Sequence, residues 1–441
     1  MTLSGSLVKS TIVAALGGLL FGFDTAVIAG TTQGLTRSFA LSNTGLGVAV
    51  SSALIGTIFG ALFAQMPADR LGRRNGLRLM AILYVLSSLG CAFAPGWYVW
   101  LFFRVIGGLG IGGSSVLGPM YIAEISPAKW RGRLVGFFQF NVVAGILLAY
   151  LSNFLIREEH FPGTEWRWML GVAGVPALLF LIMLYFIPES PRWLAQKGRT
   201  AEARETLVAI GEENVDAELQ DILQSIHLEQ GGTEPLFQPK YRLPIFLGVS
   251  IATFNQFSGI NAILYYLNDI FARAGFNQVS SDLQAVLIGL TNLVFTMLAM
   301  SIIDRVGRKT LLLIGSVGMA VSLAAVAIIF LSGSHEGLLV WCLVSFIAFF
   351  AFSQGAVIWV FISEIFPTRV RAKGQSLGTF THWFLNAAIS LAFPVIAGVS
   401  RGAPFVLFAV MMVVQFFVVL AMYPETKGRT LEEMQHALGI D

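Results

Sequence analysis

Apolar residues run along this chain in blocks of about twenty, separated by short clusters of Arg, Lys, Asp and Glu. A bilayer's hydrocarbon core takes about 20 mainly apolar residues per helix. That window predicts helices near 9–29, 46–66, 76–95, 98–122, 134–155 and 168–187. Six more follow near 243–271, 282–303, 310–332, 338–363, 374–398 and 402–422. Between the two sets lies a polar interval. There TAEARETLVAIGEENVDAELQDILQSI (200–226) spaces Leu and Ile helically among Glu and Arg, which predicts short amphipathic helices instead of spans. TLEE (430–433) has the spacing of a capping box and predicts one more short helix after the last span.

The two sets repeat each other. ADRLGRRNGL (68–77) returns as IDRVGRKTLL (303–312), YIAEISPAKWRGRL (121–134) as FISEIFPTRVRAKG (361–374), and PESPRWL (188–194) is echoed in PETKGRTLEE (424–433). The offsets are 235, 240 and 236 residues, in one order, which points to duplication. An even number of spans per half means that both halves enter the membrane in the same direction. The expected fold is all-α: twelve transmembrane helices as two parallel six-helix repeats, with further helices between them. The boundaries are 1–187 for the first half, 188–241 for the linker, 242–423 for the second half and 424–441 for the tail. Parallel repeats of this kind place a binding site at their interface, near the bilayer midplane.

Composition agrees with this pattern. Of 441 residues, 56% are hydrophobic and 12% charged, with a mean hydropathy of +0.75, against about 25% charged in soluble domains. The net charge of +3 does not signal nucleic acid, because the cations sit in short loops: Arg70, Arg73, Arg74 and Arg78; Lys129, Arg131 and Arg133; Arg305, Arg308 and Lys309; Arg369, Arg371 and Lys373. These loops follow segments 2, 4, 8 and 10, so the positive-inside rule puts them and both termini in the cytoplasm, in the cell (inner) membrane. Cys91 and Cys342 lie in separate apolar segments, which argues against a disulfide framework or a structural metal site. The first apolar run lacks a small-residue cleavage site and is expected to remain as a span.

One residue breaks the first span's pattern. Asp24, in LLFGFDTAVIAG (19–30), costs about 2.5–3.5 kcal/mol at a helix centre on insertion scales. A second charge, Arg104, lies in segment 4 within FFRVIGGLGIGG (102–113). The glycines around Arg104 suit close helix packing in an apolar span rather than a nucleotide cradle.

The repeated loop motifs, PESPRWL, QFSGINAILYY in segment 7 and PETKGRTLEE together resemble the sugar porter family of the major facilitator superfamily over nearly the whole chain. The likeness is greatest to bacterial sugar–proton symporters, and the facilitative glucose transporters share the fold. The resemblance implies a secondary transporter importing a monosaccharide, with the proton as coupling ion and no cofactor. It also pairs Asp24 with Arg104: proton-coupled relatives carry Asp at this position, facilitative ones Asn. A buried carboxylate titrates according to its distance from a guanidinium, so motion between the two would couple protonation to transport.

A sugar calls for amides that donate and accept, and for aromatic walls. Segment 7 offers Asn255, Gln256 and Asn261, with a break expected near Gly259; segment 8 offers Asn292. Segment 10 adds Phe350 and Trp359, and segment 11 adds His382, Trp383 and Asn386. The resemblance implies that Gln256, Asn261, Asn292 and Trp359 hold the sugar, with Phe21 and Asn386 nearby. Amides in membrane helices also join neighbouring helices, at about 0.6 kcal/mol each. At the ends of the helices, Asp69, Arg73, Glu189, Asp304, Arg308 and Glu425 are expected to form a cytoplasmic ion-pair gate. In it, Glu124 faces Arg131 and Glu364 faces Arg371 across the bends at Pro127 and Pro367.

Departures from the family bear on the substrate. Ile146 stands where xylose symporters and facilitative glucose transporters have Gln. Ala356 replaces a Pro, which predicts a stiffer segment 10, and Gln354 is a candidate to supply a missing amide. His382 stands where relatives have Gln or Asn, as a hydroxyl ligand, a titrating group or a packing residue. Hexose is the favoured sugar and a monomer the expected state. The alternatives are a uniporter that retains Asp24 structurally, or a membrane sugar sensor. No nucleophile–base set, phosphate loop or metal spacing points to an enzyme.

Overall fold

A computed structural model describes residues 4–159, 163–229, 234–367, 369–429 and 431–440. Among them, regular structure is entirely helical. Twelve helical stretches are long and apolar enough to cross a membrane. Spans 1 to 6 are Gly5–Phe39, Asn43–Phe63, Arg73–Phe93, Trp97–Ile125, Lys129–Glu158 and Glu165–Met183. Spans 7 to 12 are Pro239–Tyr265, Gln278–Val306, Arg308–Ser332, Glu336–Ile365, Arg371–Val399 and Ala403–Met422. Each predicted segment is found, but spans 1 and 5 run several residues longer. Their polar ends are held by packing and hydrogen bonds that a hydropathy window cannot register.

The linker forms three helices, Pro191–Gln196, Thr200–Ile210 and Val215–Glu229. The first is capped by Ser190, whose hydroxyl accepts the Trp193 N–H, with Pro191 at the first helical position. Trp193, Leu207, Ile210 and Ile222 carry their apolar faces into a core shared with Leu77, Leu117 and Tyr121 of spans 3 and 4. After span 12, Leu431–Ala437 is helical, and Met434 packs with Val419 and Tyr423 in the second half's core. Thr430, the expected cap of that helix, lies outside the described residues.

The chain forms two compact units. One contains Met1–Thr25, Ile55–Ala149 and Arg167–Thr233; the other contains Ala26–Leu54, Tyr150–Trp166 and Glu234–Asp441. Spans 1, 2 and 5 each contribute to both. Inside the first unit, glycines bring backbones together. A Cβ on Gly22 would fall 1.8 Å from the Val142 carbonyl oxygen, and one on Gly145 2.1 Å from that of Leu19, so spans 1 and 5 touch main chain to main chain. Gly112 meets the Thr57 carbonyl of span 2 in the same manner. Such contacts replace the hydrophobic drive that is absent between helices in lipid.

Two spans are interrupted. In span 7, Gly259 is left-handed (φ +82°) between Arg242–Phe257 and Ile260–Tyr265, as the sequence predicts. A Cβ there would also strike the Phe408 ring at 2.2 Å. Span 10 breaks at Ser353, between Leu339–Phe352 and Gln354–Ile365, although no proline is present. The stiffness expected from Ala356 is therefore corrected: the backbone leaves the helical region at Ser353 (φ −119°, ψ −90°), whose hydroxyl bonds the Phe349 carbonyl at 2.6 Å.

Candidate functional site

In the first unit, Arg104 Nη1 donates to Asp24 Oδ1 at 2.8 Å, with the two side chains 3% and 14% exposed. The apolar run of span 1 delivers the carboxylate to the arginine of span 4. Leu20, Tyr84, Ser87, Ser88, Cys91 and Leu170 line the small space beside them. Tyr84 is hydrogen-bonded to Ser114 at 2.9 Å, and the Arg104 guanidinium lies 5.8 Å from the Trp100 ring centroid. The arrangement holds the span 1 carboxylate directly against the buried guanidinium of span 4. Phe21, one turn from Asp24, is half-buried in the same unit.

The second unit collects the amides. Gln256 is buried at the end of the first piece of span 7. Its Nε2 donates to Asn255 Oδ1 at 3.0 Å and lies 3.1 and 3.2 Å from the ring nitrogens of His382, while its Oε1 accepts from Asn261 Nδ2 at 3.1 Å. The break at Gly259 is what lets residues five apart meet: across a continuous helix, Asn261 would not face Gln256. Trp359 and Trp383 each place a ring 5.0 Å from the imidazole of His382, one tilted and one edge-on. Trp359 is 40% exposed. Asn386 donates to the Tyr265 hydroxyl at 3.1 Å and accepts from Ser390 at 3.2 Å. Asn292 and Phe350 are buried, with Asn292 accepting from Thr296 at 3.4 Å and Phe350 packed on Phe346.

Span 10 does not supply the missing amide. Gln354 is fully buried, and its amide nitrogen donates to Gln415 of span 12 with Met412 beside it, so that nitrogen is engaged in joining spans 10 and 12. Ile146 is buried in the first unit, against the crossing at Gly22. An apolar groove of about 860 Å³ lies between spans 7 and 12, lined by Phe246, Val249, Phe254, Met411 and Val414. None of the clustered amides lines it, and chemistry therefore places the polar site elsewhere than volume does.

The loop motifs form two matching networks. In the first, Arg73 donates to Glu124 at 3.0 Å and to Asp69 at 3.0 Å, and Ser190 donates to Glu124. Glu189 accepts the N–H groups of Arg74 and Ser190 at 2.9 Å. In the second, Arg308 donates to Glu364 at 2.8 Å and to Asp304 at 2.9 Å; Thr426 donates to Glu364, and Glu425 accepts the N–H groups of Arg308 and Lys309. Gly72 and Gly307 turn at φ +98° and +99°, and a Cβ on either would collide with the capping glutamate. The pairing expected across the bends is corrected. Glu124 and Glu364 take Arg73 and Arg308, while Arg131 donates to the Ser126 carbonyl and Arg371 to that of Phe366. Each arginine stands in the first turn of the helix after the bend, where the open carbonyl at the end of the preceding helix, five residues back, is nearer than the acid seven back.

Sequence reasoning missed a further buried pair, Arg157 with Asp282. Arg157 fell just beyond the predicted end of segment 5 and Asp282 on the first residue of segment 8, so both read as boundary charges. Their only signal was proximity to two apolar ends.

Comparison with known proteins places this geometry in a family. The model for "Sugar (and other) transporter" matches residues 10–438. The D-xylose-proton symporter of Escherichia coli is 36% identical over 96% of this chain and 94% of its own length. The glucose transporter GlcP of Staphylococcus epidermidis is 35% identical, covering 97% of this chain and 96% of its own. Among solved structures, the xylose transporter XylE of E. coli in a partially occluded inward-open conformation aligns over 97% of this chain and 100% of its own, with 35% identity and a TM-score of 0.87. A family match along almost the entire chain, with helical architecture to suit, means that this protein belongs to the sugar (and other) transporter family of the major facilitator superfamily.

Proposed function

We propose that this protein imports a monosaccharide, a hexose in preference to a pentose, together with a proton by alternating access. The observation that carries the reading is the Asp24–Arg104 pair at 2.8 Å, buried in the first unit. Relatives described as a xylose–proton symporter and a glucose transporter support a sugar as cargo. In this reading Asp24 takes a proton from outside and Arg104 displaces it towards the inside. Gln256, Asn261, Asn292 and Trp359 bind the sugar, and Asn255, Phe350, His382, Trp383, Asn386 and Phe21 shape the surroundings. The rocking bodies are the two halves 1–187 and 242–423, the protein works as a monomer in the bacterial inner membrane, and both termini are cytoplasmic.

Hexose is favoured on the general character of the site, amides beside aromatic rings, and Ile146, which offers no hydrogen bond where xylose symporters have Gln, counts against a pentose. The two networks around Arg73 and Arg308 act as the inner gate, each able to hold helix ends in place and to release them when the halves move.

Asp24→Asn tests the coupling. Net accumulation driven by a proton gradient should fall to simple equilibration, while exchange of labelled glucose across preloaded vesicles persists. Accumulation that survives the substitution, or a wild type indifferent to a protonophore, would sink the symport reading and leave a uniporter. Competition of labelled glucose uptake by hexoses and pentoses at two pH values decides the sugar.

A further inference from the structure

The charged networks at Arg73, Arg104 and Arg308 each join residues of one sequence half. Arg157 and Asp282 are different, because they join the halves. Arg157 stands in the last turn of span 5, and its Nε donates to the Asp282 carboxylate of span 8. The same guanidinium donates to the Gly30 carbonyl of span 1 at 2.8 Å and reaches Gln278 at 3.5 Å. Gln278 in turn donates to Gln33 of span 1. Asn268, in the helix Leu267–Arg273 that continues span 7, donates to the other oxygen of Asp282. All six residues lie in the second unit, together with the Tyr150 hydroxyl of span 5 that donates to the Leu264 carbonyl at 2.9 Å.

Burial makes the arrangement consequential. Asp282 is 1% exposed and Arg157 13%, so each charge has exchanged water for the other, with Asn268 on the acid and the Gly30 carbonyl and Gln278 on the guanidinium. Separating them without solvent would strand both charges. Span 5 runs from Lys129 to Glu158, so Arg157 stands at the end of that span remote from its Lys129 and Arg131 turn. We propose that Arg157 and Asp282 are the outer lock of the transport cycle. Paired, they tie the ends of spans 1 and 5 to spans 7 and 8; apart, with water admitted between them, they let the sugar enter. Arg157 and Asp282 are positioning residues and do not touch the sugar. The inference rests on the alternating-access reading given above.

Thr32 reports on the lock. It is fully buried in span 1 beside Gln33, its hydroxyl donating to the Ala29 carbonyl at 3.2 Å. A Thr32→Cys, Cys342→Ala protein retains Cys91, which is 1% exposed in the first unit's core and signals unfolding. A membrane-impermeant maleimide is added to intact cells, and the labelling rate at position 32 is compared in Asp282→Asn and Arg157→Gln backgrounds. Both substitutions should raise that rate at least tenfold with Cys91 unlabelled. A rate within twofold of the parent in both backgrounds overturns the proposal. So does labelling of Cys91 in step with position 32, because the pair would then only hold the fold. Labelling needs no substrate, so a failed Asp24→Asn transport test would leave this result standing, and the converse also holds.

Discussion

Gln256 holds more of the polar site together than any neighbour, because its single amide meets Asn255, Asn261 and His382. Neutral hydrogen bonds contribute about 0.5–1.5 kcal/mol each, so loss of one or two to a bound sugar amounts to roughly tenfold in affinity. Gln256→Ala should therefore raise the KM for sugar about tenfold or more, measured by uptake at fixed pH, with expression unchanged. A KM within a factor of two would remove Gln256 from the binding set. Away from the membrane, Glu234 makes a clamp at the entry to the second half. It accepts from Lys240 at 2.6 Å, Arg369 at 2.8 Å and Tyr241 at 2.9 Å. Those hydrogen bonds, Lys240 first, hold its carboxyl down at about 2, against 4.5 ordinarily. A depressed acid supplies stability that is complete above its ordinary value and disappears as pH falls through its lowered one. Hydrogen exchange over 234–241 should accordingly be level from pH 7 to about 5, after allowance for intrinsic rates, and should quicken only as pH approaches 2. Loosening near pH 6 would contradict the clamp.

At the scale of single helices, the breaks in spans 7 and 10 arise by different physics. Span 7 yields at a glycine in the left-handed region, which costs other residues about 1–2 kcal/mol. Gly259 could be read in advance for this reason. Span 10 yields at Ser353, where the backbone leaves the helical region at φ −119° and ψ −90° with no glycine or proline at that position to announce it. Because Gln354 begins the second piece, Ala356 is the third residue of a helix and its N–H belongs to the first turn. A proline in that turn is tolerated, whereas one in a helix interior costs about 3 kcal/mol. Ala356→Pro should leave the melting temperature within 2 °C of the parent, while Val360→Pro, deeper in the same helix, should prevent stable expression. Equal damage from both would place the break elsewhere.

Across the whole molecule, duplication reaches the level of individual hydrogen bonds. Asp69, Gly72, Arg73, Glu124, Glu189 and Ser190 have counterparts in Asp304, Gly307, Arg308, Glu364, Glu425 and Thr426, each making the corresponding contact. Arg73 and Arg308 are the buried members of these networks, and removing either leaves a part-buried glutamate, Glu124 or Glu364, without its guanidinium, while the exposed Asp69 and Asp304 return to water. Arg73→Ala and Arg308→Ala should thus lower thermal stability by similar amounts, and Arg131→Ala by much less, in a detergent melting series. A large asymmetry between Arg73 and Arg308 would show that the networks are alike in geometry but not in energy. The twelve spans, the repeat, the break at Gly259 and the presence of an acid in span 1 were legible in the sequence, because each rests on local chemistry: hydropathy over about 20 residues, a left-handed turn, or the expense of a charge in hydrocarbon. Partner choice was not local. Glu124 has Arg131 seven residues away in the chain but Arg73 fifty-one residues away in hydrogen-bonding contact, and Gln354 faces Gln415 rather than a sugar. The same holds for Arg157 and Asp282, 125 residues apart, each resembling an ordinary helix-end charge until packing buries them together. Sequence alone determined which residues enter the membrane and which charges are anomalous there. Tertiary structure alone decided which charge neutralises which, because that depends on helix ends brought together by packing from distant parts of the chain.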